Sequence, residues 1–303
     1  MKGLRQVVAT RYVEPLRTGG SVPGIVEADD LGTYVVKFTG SAQGRKALVA
    51  EIIVGELARR LGLRFPELVL VDFDPSVAAD EPHQEVQDLL RASAGVNLGM
   101  DFLPGAADFT PDAVDVTSLE AGKIVWLDAL TANVDRTVHS SNLMIWPTFG
   151  IKTPRLWLID HGAALVFHHR WGASPPDKTY DFRHHALGAY APDTASADAE
   201  LAPLVTEPTL REIAALVPDA WLTDEPGFTS PDEVRDAYVT HLLSRARSSA
   251  SWLPTGFPSR DELAAADARR AAATEKGRPA WLKRVPDLHG KPPAEQDWSR
   301  HVG

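Results

Sequence analysis

Residues 133–145 read Asn133-Val-Asp135-Arg136-Thr-Val-His139-Ser140-Ser141-Asn142-Leu143-Met144-Ile145, and residues 156–162 read Leu156-Trp-Leu-Ile-Asp160-His161-Gly162. The first stretch places an Asp and then an Asn before an apolar, strand-like segment, and the second ends another such segment with an Asp. This order is typical of phosphoryl-transfer sites, in which one Asp orients the attacking hydroxyl and the other two side chains hold metal ions. The two apolar segments predict a hairpin of Leu143–Trp146 with Leu156–Ile159.

The composition is that of a globular chain of 303 residues, of which 44% are hydrophobic and 24% charged. This length suits two lobes of about 150 residues each. No run approaches the ~18 apolar residues of a membrane span, and the start of the chain lacks the apolar core of a secretory signal. We therefore expect a cytoplasmic protein with no membrane partner.

Cysteine content and net charge narrow the chemistry further. The chain contains no cysteine, which excludes disulfides and thiolate metal ligands, so any metal is held by oxygen or imidazole groups. The formal net charge is −10 and the pI is near 5.5. Because affinity for nucleic acid comes from Lys and Arg, we expect no direct nucleic-acid binding, and the mildly basic residues 255–303 fit a solvated surface segment.

The first third of the chain has the pattern of strands and turns. Residues 5–38 predict a small antiparallel meander that contains a Gly-rich turn at Thr18–Ser21. Apolar residues at three- and four-residue steps predict a helix over Arg45–Leu61 with its apolar residues on one face, stopped by Gly62. The elements expected next are a strand at Leu68–Val71, an insertion at residues 74–96, and a strand at Asn97–Leu103 that ends at a hinge, Pro104-Gly105.

The rest of the chain shows mainly helical signals. Residues 118–131 have helical apolar spacing, and three matches to the capping box follow: Thr209 with Glu212, Ser230 with Glu233, and Ser259 with Glu262. We predict an α+β fold in three parts. These are a small β-rich N-lobe with one main helix (residues 1–105), a larger helical C-lobe (residues 106–254), and a C-terminal helix with a Pro/Arg-rich tail (residues 255–303).

Lys37 and the helix that follows it carry candidate nucleotide-binding groups. A strand Lys shortly before such a helix is where a kinase places its ligand for the α- and β-phosphates. Glu51 on that helix is a candidate partner for Lys37, and Glu56 competes with it because periodicity alone does not fix the face of either. Taken singly, Lys37 also fits a surface Lys on an edge strand, and Glu51 a solvated Glu.

Other candidate nucleotide contacts lie at the Gly-rich turn and at the hinge. Glycine permits close approach of backbone N–H groups to phosphate, so the turn is a candidate phosphate-covering loop, although it serves equally well as a hairpin turn. The strand before the hinge offers two more positions. The cofactor-binding candidates beyond Lys37 and Glu51 are Gly19, Gly20, Ser21, Asp101 and Leu103.

The opening stretch supplies the candidate catalytic and metal-binding groups. Asp135 is expected to orient or accept the proton of the attacking hydroxyl, with Asn133 and Arg136 organising its loop. Asn142 and Asp160 are the candidate ligands for Mg²⁺, which prefers hard oxygen donors. The alternative is structural: an Asx-turn at residues 133–135 and an Asp that only ends a strand. The His residues show no spacing typical of a metal site.

At these residues the chain resembles the HipA-like kinases. The resemblance spans roughly residues 15–170 and is carried by Tyr34-Val-Val-Lys37-Phe, Glu51, Leu57-Ala-Arg-Arg-Leu61-Gly-Leu63, Asn133-Val-Asp135-Arg136, Asn142-Leu-Met and Leu158-Ile-Asp160-His-Gly-Ala-Ala. It implies a bilobal protein-kinase-like fold that uses ATP and Mg²⁺ to phosphorylate a Ser or Thr hydroxyl. It also implies Lys37 on the phosphates, Asp135 as the catalytic Asp, and Asn142 with Asp160 on the metal.

Three features depart from the kinase pattern. The Asp-x-Gly centre contains His161 where Phe is usual, and no Ala-Pro-Glu follows it. The Asn falls seven positions after Asp135 instead of five, and Ser140 occupies the fifth position. Either the loop bulges and Asn142 is the ligand, or Ser140 is a weaker ligand and activity is reduced.

The sequence therefore predicts an ATP- and Mg-dependent serine/threonine kinase that acts on a protein. Two alternatives stay open at this point: a nucleotide-binding pseudokinase that presents a conformation to a partner, and a kinase for a small molecule or a lipid head group. The expected partners are a protein substrate or a small-molecule hydroxyl acceptor, with an antitoxin-like or neighbouring-gene protein as a further candidate.

Overall fold

The computed structural model of the chain describes residues 3–16, 22–111, 113–147 and 154–277. The chain divides into two units, Met1–Phe257 and Pro258–Gly303. In the described part of the chain, no helix is both long and apolar enough to cross a membrane.

The first unit begins with a closed five-stranded barrel. Its strands are β1 (Arg5–Pro15), β2 (Gly24–Ala28), β3 (Thr33–Lys37), β4 (Leu68–Phe73) and β5 (Gly95–Asp101), in the spatial order β1-β2-β3-β5-β4. The meander predicted for residues 5–38 is antiparallel as expected, from β1 through β2 to β3. The closure of the barrel by a parallel pairing of β1 with β4 goes beyond that prediction.

Alternation along the strands explains the interior of the barrel. In β2, buried and half-buried residues alternate, because successive side chains point to opposite faces of a sheet. The buried side chains form one apolar cluster, which includes Val7, Ala9, Val26, Val36, Phe38, Val69, Val71 and Phe73. The barrel interior is therefore a packed apolar core, and the buried residue Lys37 ends strand β3.

Helix α1 (Gly44–Arg60) lies between β3 and β4 in the chain and is buried on all sides. All residues from Ala47 to Ala58 are buried, so the helix encloses polar residues such as Glu51 and Glu56 as well as its apolar face. Gly55 permits the ring of Phe65 to approach closely, since a Cβ at this position would lie 2.3 Å from that ring. The helix ends at Arg60, close to the predicted end at Leu61, and the predicted stop residue Gly62 has a φ of +77°.

The remaining elements of the first unit are mainly helical. They are α2 (Gln84–Arg91), β6 (Ala107–Asp108), α3 (Ser118–Leu130), β7 (Leu143–Trp146), β8 (Arg155–Leu158), α4 (Thr194–Leu201), α5 (Glu207–Ala214) and α6 (Pro231–Arg247). Strands β6, β7 and β8 form a second sheet, which contains the predicted hairpin. A β-rich first part with one main helix, followed by a helical part, confirms the predicted α+β class.

Two of the three predicted capping boxes occur. Ser230 caps α6 by accepting a hydrogen bond from the N–H of Glu233, and Ser259 does the same for Glu262 at the start of α7 (Arg260–Gly277) in the second unit. The box predicted at Thr209 is wrong, because α5 begins at Glu207 and is capped by Thr206. The N–H groups of the first helical turn have no partner within the helix, so the missing N–H of Pro208 costs nothing there. Pro208 therefore lies in the first turn of α5, one residue after its start.

Candidate active site

Lys37 is held between two carboxylates that come from distant parts of the chain. Its Nζ lies 2.9 Å from Oε2 of Glu51, on α1, and 2.7 Å from Oδ1 of Asp160, just after β8. Burial of the ammonium group acts to lower its pKa, but the two carboxylates outweigh burial and the pKa of Lys37 lies above its ordinary value. Lys37 is therefore a fixed cation at the end of β3.

Glu51, and not its competitor Glu56, is the helix partner of Lys37. Glu51 is buried, and its Oε2 also accepts a hydrogen bond of 2.8 Å from the backbone N–H of His161. Burial raises the pKa of Glu51, with Lys37 opposing that shift. Glu56 instead forms an ion pair of 2.9 Å with Arg59, one turn along the same helix.

Asp160 has a strained backbone and a partly exposed side chain. Its φ is +53°, a left-handed conformation that only a few per cent of non-glycine residues adopt. The Oδ1 atom that contacts Lys37 also accepts a hydrogen bond of 3.3 Å from the N–H of Gly162. Burial opposes ionisation, but Lys37 and this hydrogen bond lower the pKa of Asp160 below its ordinary value. The carboxylate is thus anionic at neutral pH.

The loop that carries Asp135 contains a closed turn. Thr137 and Ser140 exchange two backbone hydrogen bonds, of 2.9 and 3.2 Å, which shortens the path from Asp135 to Asn142. The side chain of Asn142 then donates to Oδ2 of Asp135 over 3.0 Å, while the hydroxyl of Ser140 contacts the amide oxygen of Asn142 at 3.3 Å. The extra residues of the seven-residue step therefore form a turn, and Asn142 contacts the Asp135 carboxylate directly.

Asn142 and Asp160 lie at the same end of the β7–β8 pair. Leu143 pairs with Leu158 in this ladder, and the N–H of Ile159 donates to the carbonyl of Asn142 over 3.1 Å. Asn142, like Asp160, has a positive φ, of +48°. Left-handed conformations of non-glycine residues cluster at functional sites, where surrounding structure enforces the strain.

A buried carboxylate, Asp128 on α3, bonds to two residues of the Asp135 loop. Its Oδ1 accepts from the side-chain amide of Asn133 at 2.8 Å, and its Oδ2 accepts from Nε of Arg136 at 2.7 Å and contacts Nε2 of His185 at 2.9 Å. Burial acts to raise the pKa of Asp128, but Arg136 and His185 outweigh it and lower that pKa to about 2. Asn133 and Arg136 thus both bond to one buried carboxylate on α3.

Arg136 joins the two halves of the site. Its Nη1 donates to the backbone carbonyls of Asn142 and of Ile159, the latter over 3.3 Å. These residues immediately precede β7 and Asp160. One buried guanidinium therefore ties the Asp135 loop to the backbone beside both candidate metal ligands.

The family of the chain follows from a comparison with known protein families. A model of the HipA-like kinases matches residues 10–255, which include the barrel, α1, the Asp135 loop and Asp160. The chain belongs to the HipA-like kinase family. A comparison with curated proteins gives no match.

Solved structures similar to this HipA-like kinase are kinases with low sequence identity to it. The Helicobacter pylori proinflammatory kinase CtkA is 12% identical, with a TM-score of 0.47, and the alignment covers 80% of this chain and 94% of CtkA. The Golgi casein kinase is 13% identical, with a TM-score of 0.42 and coverage of 82% and 71%. The structure of the Golgi casein kinase with Mn/ADP bound is 13% identical, with a TM-score of 0.41, and the alignment covers 86% of this chain and 78% of that kinase.

Sequence reasoning missed two residues of this HipA-like kinase site, Asp128 and His185. Asp128 carried a detectable signal, since it is the only charged residue in the apolar helical run from Ile124 to Leu130. A carboxylate at such a position is buried only when it is paired. His185 had no comparable signal, because its partner lies 57 residues earlier in the chain.

His161 occupies the centre of the Asp-x-Gly motif and is fully buried. Burial and the nearby Arg136 lower the pKa of His161 to about 3, so the imidazole is neutral at pH 7. Its ring packs against Phe65 with the centroids 5.0 Å apart. Within the described residues neither ring nitrogen has a hydrogen-bond partner. The His161 ring is thus buried against Phe65, while its backbone N–H bonds to Glu51.

The remaining candidates lie away from Lys37 or outside the described residues. Gly19, Gly20 and Ser21 belong to the residues that the structure does not describe. Asp101 pairs with Tyr34 in the β3–β5 ladder, three residues along β3 from Lys37, and Leu103 is buried just beyond the strand. The indole N–H of Trp146 donates to the carbonyl of Pro104 over 3.0 Å, which joins the predicted hinge to β7.

The donor set suits Mg²⁺ better than zinc. Among the described residues, no cluster of three or more His, Asp or Glu side chains could hold a metal ion by itself. Mg²⁺ is commonly held by one or two carboxylates while water and substrate phosphates complete its shell. Asp160 and the amide oxygen of Asn142 fit that requirement.

Proposed function

We propose that this HipA-like kinase transfers the γ-phosphate of ATP, with Mg²⁺, to a Ser or Thr hydroxyl of a protein. The observation that carries the proposal is Lys37 held between Glu51 and Asp160, at 2.9 and 2.7 Å, with all three groups provided by separate elements. A buried cation between two acids is costly to assemble for stability alone. The arrangement is useful when the cation and one acid face a charged ligand.

Lys37 would bind the α- and β-phosphates, and Glu51 keeps its ammonium group in place. Glu51 lies too deep to reach a ligand, whereas Asp160 is only half-buried. The phosphates would therefore approach Lys37 from the Asp160 side. In this role Lys37 neutralises charge at a fixed point and needs no movement during the reaction.

Asp160 and Asn142 would hold Mg²⁺ beside the phosphates. When bound there, the ion supplies positive charge that neutralises the phosphate oxygens and orients the γ-phosphoryl group. The protein contributes the two oxygen donors, which the β7–β8 pairing places at one end of the same ribbon.

Asp135 would orient the acceptor hydroxyl and accept its proton. Its carboxylate is exposed and hydrogen-bonded to Asn142, so the hydroxyl would come to lie close to the metal ligands. The loop backbone is fixed because Arg136 and Val138 bond to Ala186 and His184 of a facing segment. A base held in this way would speed phosphate transfer by positioning the hydroxyl as well as by accepting its proton.

Exposed apolar side chains beside Asp135 favour a protein acceptor over a small polar molecule. Val134 and Val138 are 42% and 43% exposed and lie one and three positions from Asp135 in the chain. Their loop is held by Asp128 and Arg136, so the exposure is built into a rigid segment. Apolar side chains at the centre of an interface with a polar surround are common in protein–protein contacts, so these two valines would suit a peptide acceptor.

Phosphosite mapping tests the acceptor class. Lysate proteins would be incubated with the kinase, Mg²⁺ and γ-labelled ATP, in parallel with an Asp135→Asn variant, and the labelled residues identified by mass spectrometry. We expect phosphoserine or phosphothreonine that appears only with the wild-type chain. Label found solely in small molecules would refute the protein acceptor, and no transfer to any acceptor would refute the kinase.

A further inference from the structure

The first turn of α1 is tied to two segments far away in the chain. The Nζ of Lys46 lies 2.7 Å from Oε1 of Glu225 and 2.6 Å from the backbone carbonyl of His168. The side chains of Lys46 and Glu225 are only 29% and 13% exposed. Partial burial reduces screening by solvent and salt, so this pair is stronger than an ordinary surface pair.

The same Glu225 oxygen accepts a second hydrogen bond, of 3.0 Å, from the indole N–H of Trp171. His168 and Trp171 belong to the segment that follows the Asp160-His161-Gly162 motif and turns in two short 3-10 helices, Val166–His169 and Trp171–Ala173. We call the group Lys46, His168, Trp171 and Glu225 the latch. It joins α1, the segment after Asp160 and the loop before α6.

Neighbouring contacts fix α1 at both ends. Arg45 donates to the carbonyl of Ala220 over 2.9 Å, and Arg60 forms an ion pair of 2.8 Å with Glu212. A continuous helix rises about 1.5 Å per residue, so Glu51 lies only ~7.5 Å along the axis from Lys46. A helix anchored in this way holds Glu51 at a constant distance from Lys37.

We propose that the latch positions Glu51 and Asp160, so that the active site is assembled before nucleotide binds and without phosphorylation or a partner protein. This inference rests on the proposed nucleotide site and concerns its regulation. The segment after Asp160 is held by Lys46 and Glu225, so it would need no phosphorylated residue to order it. Lys46 and Glu225 are positioning residues and do not touch the phosphates.

Hydrogen exchange of the protein without nucleotide tests the latch. Lys46→Met removes the cation and keeps a similar side-chain length, and Glu225→Gln removes the charge from the other side. We expect both variants to exchange faster than wild type in residues 44–51 and 161–173. We also expect the affinity for Mg-ATP, measured by calorimetry, to fall about tenfold, as when groups that orient metal ligands are removed.

Lys123→Met is the matched control. Lys123 pairs with Glu200 at 2.5 Å and is 27% exposed, close to the exposure of Lys46, but it joins α3 to α4. It should change neither the exchange of residues 161–173 nor the affinity for Mg-ATP. The loss of affinity in the double variant of Lys46 and Glu225 should be smaller than the two single losses combined, because both single variants break the Lys46–Glu225 pair.

Two results would overturn the proposal. The first is that residues 44–51 and 161–173 of both latch variants exchange hydrogen at the same rate as in wild type. The other is a wild-type chain in which these residues become protected only after Mg-ATP is added, because nucleotide would then assemble the site. Neither readout requires phosphate transfer, so a chain that phosphorylates nothing would refute the proposed function while hydrogen exchange still decides the latch. If Lys46→Met proves unstable, hydrogen exchange of Glu225→Gln alone decides whether the latch proposal holds.

Discussion

Replacing Asp128 with Asn removes the charge that holds the catalytic loop. The carboxylate and the guanidinium of Arg136 are both completely buried, and Asn133 and His185 bond to the same carboxylate. An Asn side chain has one acceptor oxygen and a donor NH₂ group, so its nitrogen would face one of these donors. The variant therefore loses a counter-charge and gains a donor–donor contact.

The loss is large because Arg136 stays buried. Breaking a buried ion pair by removing one partner costs roughly 3–5 kcal/mol. A unit of this size loses about 2–4 °C in Tm for each kcal/mol, so we expect Asp128→Asn to lower the Tm by about 10 °C. The rate of phosphate transfer, measured well below the Tm of both wild type and variant, should fall by about a hundredfold. The reason is that the Asp135 loop would no longer be held in position.

Asp198→Asn is the control for this prediction. The Asp198 carboxylate also sits between helices, but its partners are neutral: the indole N–H of Trp126 at 2.7 Å and the hydroxyl of Ser249 at 2.9 Å. Losing one such hydrogen bond costs about 1 kcal/mol. If Asp128→Asn is destabilised no more than Asp198→Asn in urea unfolding, the account of Asp128 as the anchor of the loop is wrong.

The pH dependence of stability offers a second test of Asp128. Its pKa is lowered from an ordinary value of 3.8 to about 2 in the folded chain. Between these values the unfolded chain binds more protons, so the stabilisation is complete above pH 3.8 and is lost as the pH falls toward 2. The free energy of unfolding of Asp128→Asn should therefore decline less over this window than that of wild type. Parallel declines would contradict the assigned ionisation.

Two further predictions concern packing and the metal ligand. Gly122→Ala should destabilise the chain by about 1–3 kcal/mol in thermal unfolding, because the new Cβ would lie 2.3 Å from the backbone carbonyl oxygen of Asp193. Gly188→Ala is the control and should be well tolerated, because its Cβ would lie 3.4 Å from the nearest atom. Asn142→Ala should raise the Mg²⁺ concentration for half-maximal transfer about tenfold, and Ser140→Ala should change it less than about threefold. The reverse order would make Ser140 the ligand.

Much of the fold was predictable because local patterns carry it. Short apolar runs between turns mark β2 and β3, and helical apolar spacing over Arg45–Leu61 marks α1, which spans Gly44–Arg60. Lys37, Glu51 and Asp160 were named from their order along the chain, and the structure brings these three side chains together. Their roles toward a nucleotide stay predictions.

The remaining features of the fold and of the site depend on contacts between distant segments. The spacing of apolar residues along the sequence carries no information about such contacts. The parallel pairing of β1 with β4 joins residues more than 60 positions apart. Helix α1 has apolar residues at amphipathic spacing, yet it is buried on all sides, because α5 and other elements of the helical part also pack against it. The ion pair of Lys46 with Glu225 spans 179 positions and has no local signature.

The most direct test of the kinase assignment is the rate of γ-phosphate transfer by Asp135→Asn relative to wild type, at saturating ATP and Mg²⁺ and with nucleotide affinity measured in parallel. We expect the rate to fall by about 10²- to 10⁴-fold, the range for loss of a general base. Nucleotide affinity should stay within about threefold of wild type, since Lys37 and Asp160 remain in place. A variant that transfers phosphate at the wild-type rate would contradict the assignment of Asp135 and the mechanism built on it.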